Sequence, residues 1–474
     1  MMGRAANQIV VLLVTLLAAR WLNPTTFGVY AIAAALITFT RSLLYAGAFE
    51  YLLKAKPGEE AATECLVIKL ILAALMFGLL MTLSLFTTAL FHSPEVSGLL
   101  VAMAPSNFLS AGSAWQEAQL LRANRVRTYY GVTTFAEILA ALVTVVMILL
   151  HFGLLALVVQ LYVRAFVLLV SYRALQKPIW SNGFSMRLAW RVGRWSFTRY
   201  GTTLINFVSN YSADVLLGAY LSPAATGLYR AGNRIVTGVS DLISNPTRTM
   251  AMTVFSNRAA NGLDSRDIWP RIAGASALVG WTALVGMAAV SDRIVPIVLG
   301  AKWTAAAPVI TVLCLRRAFA LMDGVSNPLL VAYGRVRSLF TVQLAMAIAG
   351  VLLLTLFARF GVVAAAWTTV VVAAVSMAIC AFLALRMTPV PPSGLLRVAP
   401  VAFGPPAAAG LAAIAVNAVI GRELTPIGGL ALEIAAGGAA WALMVFANRP
   451  RVLEALHAFN ATSQPVPSTV DVAV

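Results

Sequence analysis

Apolar residues in this chain gather into long blocks separated by short polar stretches. A helix needs roughly 20 apolar residues to cross about 30 Å of hydrocarbon. Fourteen blocks meet that length, at residues 6–22, 28–53, 63–91, 97–121, 129–150, 154–174, 196–220, 227–256, 272–298, 304–332, 339–358, 361–387, 398–420 and 427–447. The pattern predicts an all-α integral membrane protein with about 14 transmembrane helices. Residues 448–474 are polar, with Pro465 and Pro467, and are expected to form a disordered cytoplasmic tail.

Between the blocks the chain repeats itself. Leu22-Asn23-Pro24-Thr25-Thr26-Phe27-Gly28-Val29-Tyr30 returns 199 residues later as Leu221-Ser222-Pro223-Ala224-Ala225-Thr226-Gly227-Leu228-Tyr229. Asn-Pro and Ser-Pro start a turn, because the proline ring fixes φ and removes a donor. The glycine is read as the end of that turn, where the chain re-enters a helix. Two further matches follow in order. Arg125-Val126-Arg127 pairs with Arg335-Val336-Arg337, and Phe152-Gly153-Leu154-Leu155-Ala156 with Phe360-Gly361-Val362-Val363-Ala364. Collinear matches at a nearly constant offset imply two copies of a large unit. An even number of spans separates them, so the copies point the same way and an axis along the membrane normal relates them. The expected architecture is two parallel six-helix lobes around a central cleft, plus two extra C-terminal helices. The boundaries are 1–175 for the first lobe, 176–195 for a linker, 196–390 for the second lobe and 391–447 for the added spans. The repeated turns are short, uncharged and outside, and are expected to mark the lobes without carrying chemistry.

Composition supports the membrane reading. The 474 residues are 60% hydrophobic and only 11% charged, with a mean hydropathy of +0.87, whereas soluble domains carry about 25% charged residues. The net charge of +17 would suggest nucleic acid in a soluble protein. Its placement argues for a membrane instead. With the N-terminus inside, cytoplasmic segments hold 21 Lys and Arg against three outside, Lys302, Arg359 and Arg422. That bias sets the topology and removes any need for a nucleic-acid partner. Met1 to Leu22 lacks a small-residue cleavage site followed by a polar mature region, so it reads as a span rather than a cleavable signal. Cys65, Cys314 and Cys380 all sit in apolar runs and read as buried thiols.

The linker carries Phe184, Leu188, Val192 and Trp195 on one helical stripe and Arg187, Arg191 and Arg194 on another. It reads as a basic amphipathic helix on the inner leaflet.

Ionisable groups at membrane depth usually face a bundle interior or a wet cavity. Two spans share one pattern: Arg234, Asp241, Asn245-Pro246 and Arg316, Asp323, Asn327-Pro328. Spacings of seven and eleven place these residues on one helix face. Arg230 joins the first stripe and Arg317 lies beside the second. Asn206, Asn210 and Asp214 make another polar face in the seventh span. In the first lobe Arg41 and Arg164 are the cavity candidates. Glu50, Lys69 and Glu117 read as snorkelling near the inner surface, and Glu117 and Glu137 as partners for nearby arginines. The stripes fit a cationic cavity wall, since a guanidinium fork suits phosphate. They equally fit a dry lobe cross-linked by Arg–Asp bridges. Candidate cavity residues are therefore Arg41, Arg164, Arg230, Arg234, Arg316, Arg317, Asn206, Asn210, Asn245 and Asn327. Asp214, Asp241 and Asp323 are candidates for charge pairing or ion coupling.

No phosphate loop of the GxxxxGK[ST] type occurs. His92, His151 and His457 lack metal-ligand spacing. The reading is a transporter without catalytic residues, metal or cofactor.

The stretch Ala19-Arg20-Trp21-Leu22-Asn23-Pro24-Thr25-Thr26-Phe27-Gly28-Val29-Tyr30 resembles the opening of bacterial polysaccharide exporters. These are the Wzx-type oligosaccharide flippases of the polysaccharide transporter family, in the multidrug/oligosaccharidyl-lipid/polysaccharide superfamily. The second copy, the stretch Asn327 to Arg337 and the six-plus-six lobes fit as well, covering about residues 1–390. The chain departs from the pattern in the few residues before its first span, where relatives carry more. The resemblance implies passage of a lipid-linked oligosaccharide, usually on undecaprenyl pyrophosphate, across the bacterial inner membrane. It implies alternating access of two lobes with a cationic lumen. Expected partners are the lipid-linked substrate, the bilayer, and a polysaccharide polymerase and chain-length regulator. Two other readings stay open: a cation-coupled multidrug exporter of the same superfamily, and a non-transporting scaffold of polysaccharide assembly.

Overall fold

A computed structural model describes residues 16–55, 61–176, 180, 183–388, 392–419 and 425–453. Most of the first span, part of the linker and the tail beyond residue 453 lie outside the described residues. All regular structure among the described residues is helical. In chain order the α-helices are α1 Pro24–Leu44, α2 Ala48–Lys54, α3 Ala62–Phe91, α4 Pro94–Met103, α5 Ser106–Arg122, α6 Val126–Leu149, α7 Leu154–Leu175, α8 Met186–Tyr220 and α9 Pro223–Ala260. They continue with α10 Ile268–Ala289, α11 Ser291–Val298, α12 Ala307–Ala332, α13 Val336–Phe357, α14 Val362–Met387, α15 Pro392–Val419 and α16 Pro426–Ala447.

Among the described residues ten helices are long and apolar enough to cross a membrane, so this is a multi-pass membrane protein. Helices α8 and α9, at 35 and 38 residues, are long enough but too polar to qualify by composition. Their polarity is where the site lies. Lipid accounts for the apolar surface elsewhere: Leu75, Leu85 and Phe86 of α3 and Leu443 and Phe446 of α16 are exposed. A bilayer core is the solvent in which such faces cost nothing.

The chain divides into two compact units. The first is Met1–Arg234, Val298–Ala306 and Ala347–Ala365; the second is Ile235–Ile297, Ala307–Met346 and Ala366–Val474. Helix α9 starts in the first and ends in the second.

In the first unit Val29, Ile32 and Ile37 of α1 pack with Leu80 and Phe91 of α3, Leu100 and Met103 of α4 and Val158 of α7. The second predicted span is broken into α1 and α2 at Gly47, where φ is +57°, a conformation that favours glycine. A Cβ there would stand 2.6 Å from the Tyr200 ring. Lys69 closes this break. Its Nζ donates to the Leu44 carbonyl at 2.5 Å, at the negative end of α1, and lies over the Phe49 ring at 5.2 Å. Lys69 is 1% exposed, so it caps a helix in the interior and does not snorkel. Predicted span 4 is likewise split, into α4 and α5, near Pro105.

The linker helix and predicted span 7 are one helix, because no proline interrupts Met186–Tyr220. At 1.5 Å per residue its 35 residues run about 52 Å, well beyond a bilayer core. Its first turns are docked on the first unit. Val192 is buried with Ala48, Leu52 and Trp115. The Glu64 carboxylate accepts from the Ser185 backbone N–H at 2.9 Å, and Arg199 pairs with Glu50.

In the second unit Phe255 of α9, Trp269 and Ile272 of α10, Val325 and Leu329 of α12 and Ala384 of α14 share a core. The Trp281 indole N–H donates to the Ala318 carbonyl at 2.8 Å. The two added helices pack on this unit. A Cβ at Gly410 would stand 2.5 Å from Val285, and Trp281 meets Phe403 with ring centroids 4.8 Å apart. Arg293 of α11 touches Glu433 of α16 at 2.5 Å and donates to Asn417 of α15 at 3.1 Å.

Candidate functional site

The repeated turns are helix starts, and the residues after them build the site. Asn23 caps α1: its Oδ1 accepts from the Thr26 N–H at 2.7 Å, with Pro24 in the first helical position. Ser222 does the same for α9, its Oγ accepting from the Ala225 N–H at 3.2 Å. The glycines therefore lie inside their helices rather than at the end of a turn. Their reason is close approach. A Cβ on Gly28 would stand 1.6 Å from the Pro223 carbonyl oxygen, and one on Gly227 would stand 2.0 Å from the Pro24 carbonyl oxygen. The two copies cross each other, each glycine admitting the other copy's backbone.

Directly beyond the crossing, both helices become walls of one cavity of about 270 Å³. All of its lining belongs to the first unit. Helix α1 presents Phe27, Tyr30, Ala31, Ala34, Thr38 and Arg41, a single face at helical spacing. Helix α7 adds Leu157, Gln160, Leu161 and Arg164, and α6 adds Glu137. Tyr211 comes from α8, and Arg230 and Arg234 from α9.

The electrostatics follow from the pairing. Arg164 is ion-paired with Glu137. Arg230 donates through Nη1 to Asp214 Oδ2 at 2.8 Å and lies 4.8 Å from the centroid of the Tyr211 ring. Asp214 is 1% exposed, so Arg230 holds it in place. Arg41 has no carboxylate partner among the described residues. Four arginines, Arg41, Arg164, Arg230 and Arg234, line the cavity, and Glu137 and Asp214 are the carboxylates paired with two of them, so arginines outnumber carboxylates among these groups. A low-dielectric wall makes such an excess strongly attractive to an anion.

Of the residues singled out in the sequence, Arg41, Arg164, Arg230 and Arg234 thus meet in this cavity, with Asp214 behind it. Asn206 and Asn210 are exposed on α8, outside the lining, and the Asn210 side chain donates to the Asn206 carbonyl at 2.8 Å. The other six belong to the second unit. Arg317 donates to Thr237 Oγ1 at 2.5 Å. Asp323 accepts from Ser376 Oγ at 2.9 Å. Arg316, Asp241 and Asn327 are half-buried, and Asn245 is exposed. Both Asn-Pro sequences run through continuous helix, in α9 and α12. Sequence reasoning missed Phe27, Tyr30, Gln160 and Tyr211. Tyr30 had a signal, since it closes the repeated phrase one turn inside the membrane.

The chain is all-α and multi-pass with an arginine-rich cavity, and solved structures share its fold. The lipid II flippase MurJ in an inward closed conformation superposes with a TM-score of 0.77 at 13% identity, over 95% of this chain and 98% of that one. An inward-facing multidrug resistance MATE family transporter of the MOP superfamily gives 0.65 at 11% identity, over 83% and 95%. Residues 17–308 match the profile of the family described as polysaccharide biosynthesis protein, and the chain belongs to that family. It is 26% identical to the succinoglycan biosynthesis transport protein ExoT of Rhizobium meliloti (strain 1021), across 70% of this chain and 67% of that protein. It is 28% identical to the teichuronic acid biosynthesis protein TuaB of Bacillus subtilis (strain 168), across 39% of this chain and 41% of that protein.

Proposed function

We propose that this protein flips a lipid-linked oligosaccharide, carried on undecaprenyl pyrophosphate, from the inner to the outer leaflet of the bacterial inner membrane. The polymer served is an O-antigen, capsule or exopolysaccharide. The observation that carries the reading is the gathering of Arg41, Arg164, Arg230 and Arg234 in the first-unit cavity, which complements a diphosphate diester. Guanidinium groups hold phosphate oxygens in pairs, and the hydroxyls of Tyr30 and Thr38 and the amide of Gln160 suit sugar hydroxyls. The relatives ExoT and TuaB, named for succinoglycan transport and teichuronic acid biosynthesis, support this class of cargo. A positive cavity disfavours the cationic cargo of a multidrug exporter.

The proposed cycle is alternating access of two six-helix lobes, residues 1–175 and 196–390, with both termini cytoplasmic. Arg316, Arg317, Asn245 and Asn327 would serve the cargo from the second lobe, and Asn206 and Asn210 from α8. Asp214, which pairs with Arg230, Asp241 and Asp323 are the candidates for coupling to a proton or sodium gradient. A polymerase and a chain-length regulator are the expected partners.

Arg41 gives the cleanest test, because it is committed to no carboxylate. Arg41→Gln removes a desolvated cation, so the fold should tolerate it. The lost charge-assisted bonds to phosphate should lower export about 10- to 100-fold. The measurement is accumulation of lipid-linked oligosaccharide on the inner face in cells carrying the variant at equal protein level. Undiminished export would remove Arg41 and the cavity from the transport path.

A further inference from the structure

The crossing of the repeated turns lies immediately outside the cavity, and this position gives it a task. Gly28 is flanked on α1 by Phe27 and Tyr30, both of which line the cavity. Gly227 precedes Arg230 and Arg234 on α9, which also line it, by one and two turns. The helices therefore touch backbone to backbone at Gly28 and Gly227, then separate to enclose the space below. Nothing larger than glycine permits the contact, since an added Cβ at either position would overlap a carbonyl oxygen.

A tryptophan seals the same place. Trp303, in the turn Ala301–Ala306, is fully buried. Its indole N–H donates to the Ala19 carbonyl at 2.8 Å, and its ring meets Phe27 edge-on with centroids 5.6 Å apart. Ala18, next to that carbonyl, lines the cavity. The indole thus ties the helical stretch at residues 16–21 to the first turn of α1, at the end of the cavity next to the crossing.

We propose that the reciprocal glycine crossing is the outer gate of the cavity, with Trp303 as its latch. The proposal rests on the reading that the cavity carries cargo outward. Cargo leaving on the side of the turns must part Gly28 from Pro223 and Gly227 from Pro24, and must release the indole from Ala19. Glycine makes the closed state reversible: the contact is backbone on backbone, with no side chains to interdigitate and no ion pair to desolvate. A β-carbon at either glycine opposes closure directly and biases the gate towards open.

The test reads access to the cavity without needing cargo. Cys65, Cys314 and Cys380 are replaced by alanine, and Ala34→Cys places one thiol in the cavity wall. A membrane-impermeant maleimide is applied to spheroplasts, from the side the turns face. Gly28→Ala and Gly227→Ala should each raise the labelling rate about fivefold or more, because overpacking at a tight contact shifts populations by at least that much. Gly98→Ala, on α4, adds its Cβ to open space and should leave the rate unchanged. If a glycine variant does not reach the membrane, Trp303→Phe takes its place. It keeps a ring against Phe27, removes the bond to Ala19, and should also raise labelling. Basal labelling in the folded variants overturns the gate, and so does fast labelling in the parent chain with an unmodified crossing. The two proposals fail separately. Labelling that rises as expected while oligosaccharide export does not depend on the protein would sink the transport reading and leave the gate standing. Basal labelling with intact export sinks the gate alone.

Discussion

Arg230→Ala should destabilise the protein by about 3–5 kcal/mol, the usual cost of stripping one partner from a buried ion pair. Asp214 is 1% exposed and lies 2.8 Å from Arg230 Nη1, so the variant strands a carboxylate in a low-dielectric interior. Tyr211 also loses the cation over its ring. Thermal unfolding in detergent, followed by tryptophan fluorescence, reads the effect. A midpoint equal to that of the parent would show that the pair holds nothing together. The double variant Asp214→Asn, Arg230→Gln separates structure from transport. Two amides can share a hydrogen bond without either charge, so most of the stability should return. The net charge around the cavity is unchanged, because one charge of each sign is removed. Export that stays low in this stable variant assigns Arg230 to the cargo directly. Export that recovers makes it a support for α8.

Glu433→Ala should cost a similar amount, about 3–5 kcal/mol, at the other end of the chain. Glu433 is 1% exposed and Arg293 is 14% exposed at the side chain, so the guanidinium would be left among helices without its carboxylate. Gly429 confirms how tightly the cation is held: a Cβ there would stand 2.0 Å from Arg293 Nη1. The expected result is loosening of α15 and α16 from α10 and α11. It would be visible as a lower unfolding midpoint and as early proteolytic release of the C-terminal helices. Replacing the pair by apolar residues of similar length, Arg293→Met with Glu433→Leu, should restore the parent midpoint or exceed it, as buried pairs exchanged for hydrophobic packing often do. Failure of the apolar pair to restore stability would mean that the two charges do more than anchor these helices.

The contrast between these two ion pairs shows what could be read in the sequence. Arg230 and Asp214 stood out because they interrupt apolar runs and lie near a repeated phrase. Arg41, Arg164 and Arg234 were conspicuous for the same reason, and the cavity gathers all four arginines. Arg316, Arg317 and Asp323 were just as conspicuous, yet they belong to the second unit. Charge in a span reports burial, not which neighbour shares it. Tyr211 and Gln160 were not legible as a site, because aromatic and amide side chains occur throughout membrane helices without function. Arg293 and Glu433 lie 140 residues apart with no periodic relation, so only the packed chain brings them together. Lys69 misled in a different way. Its sequence position suggested snorkelling, while its real partner is the Leu44 carbonyl, exposed where Gly47 breaks a helix. The all-helical, multi-pass architecture was legible, since span length and hydropathy depend on the bilayer, while the breaks at Gly47 and near Pro105 and the fusion of the linker with span 7 depend on local backbone and packing.

The reciprocal crossing also bears on how such a chain arose. Gly28 admits the Pro223 carbonyl, and Gly227, its equivalent 199 residues later, admits the Pro24 carbonyl. Each copy of the phrase supplies both halves of the contact, which is the property of an isologous interface. A half-length ancestor carrying one phrase would already have been complementary to itself. Two such molecules inserted in the same orientation would have met at this point as a homodimer. Fusion of two such genes would turn a subunit interface into an internal contact and free each half to diverge. Both halves place arginines in the cavity wall, Arg41 and Arg164 from the first and Arg230 and Arg234 from the second, and the second carries two more helices.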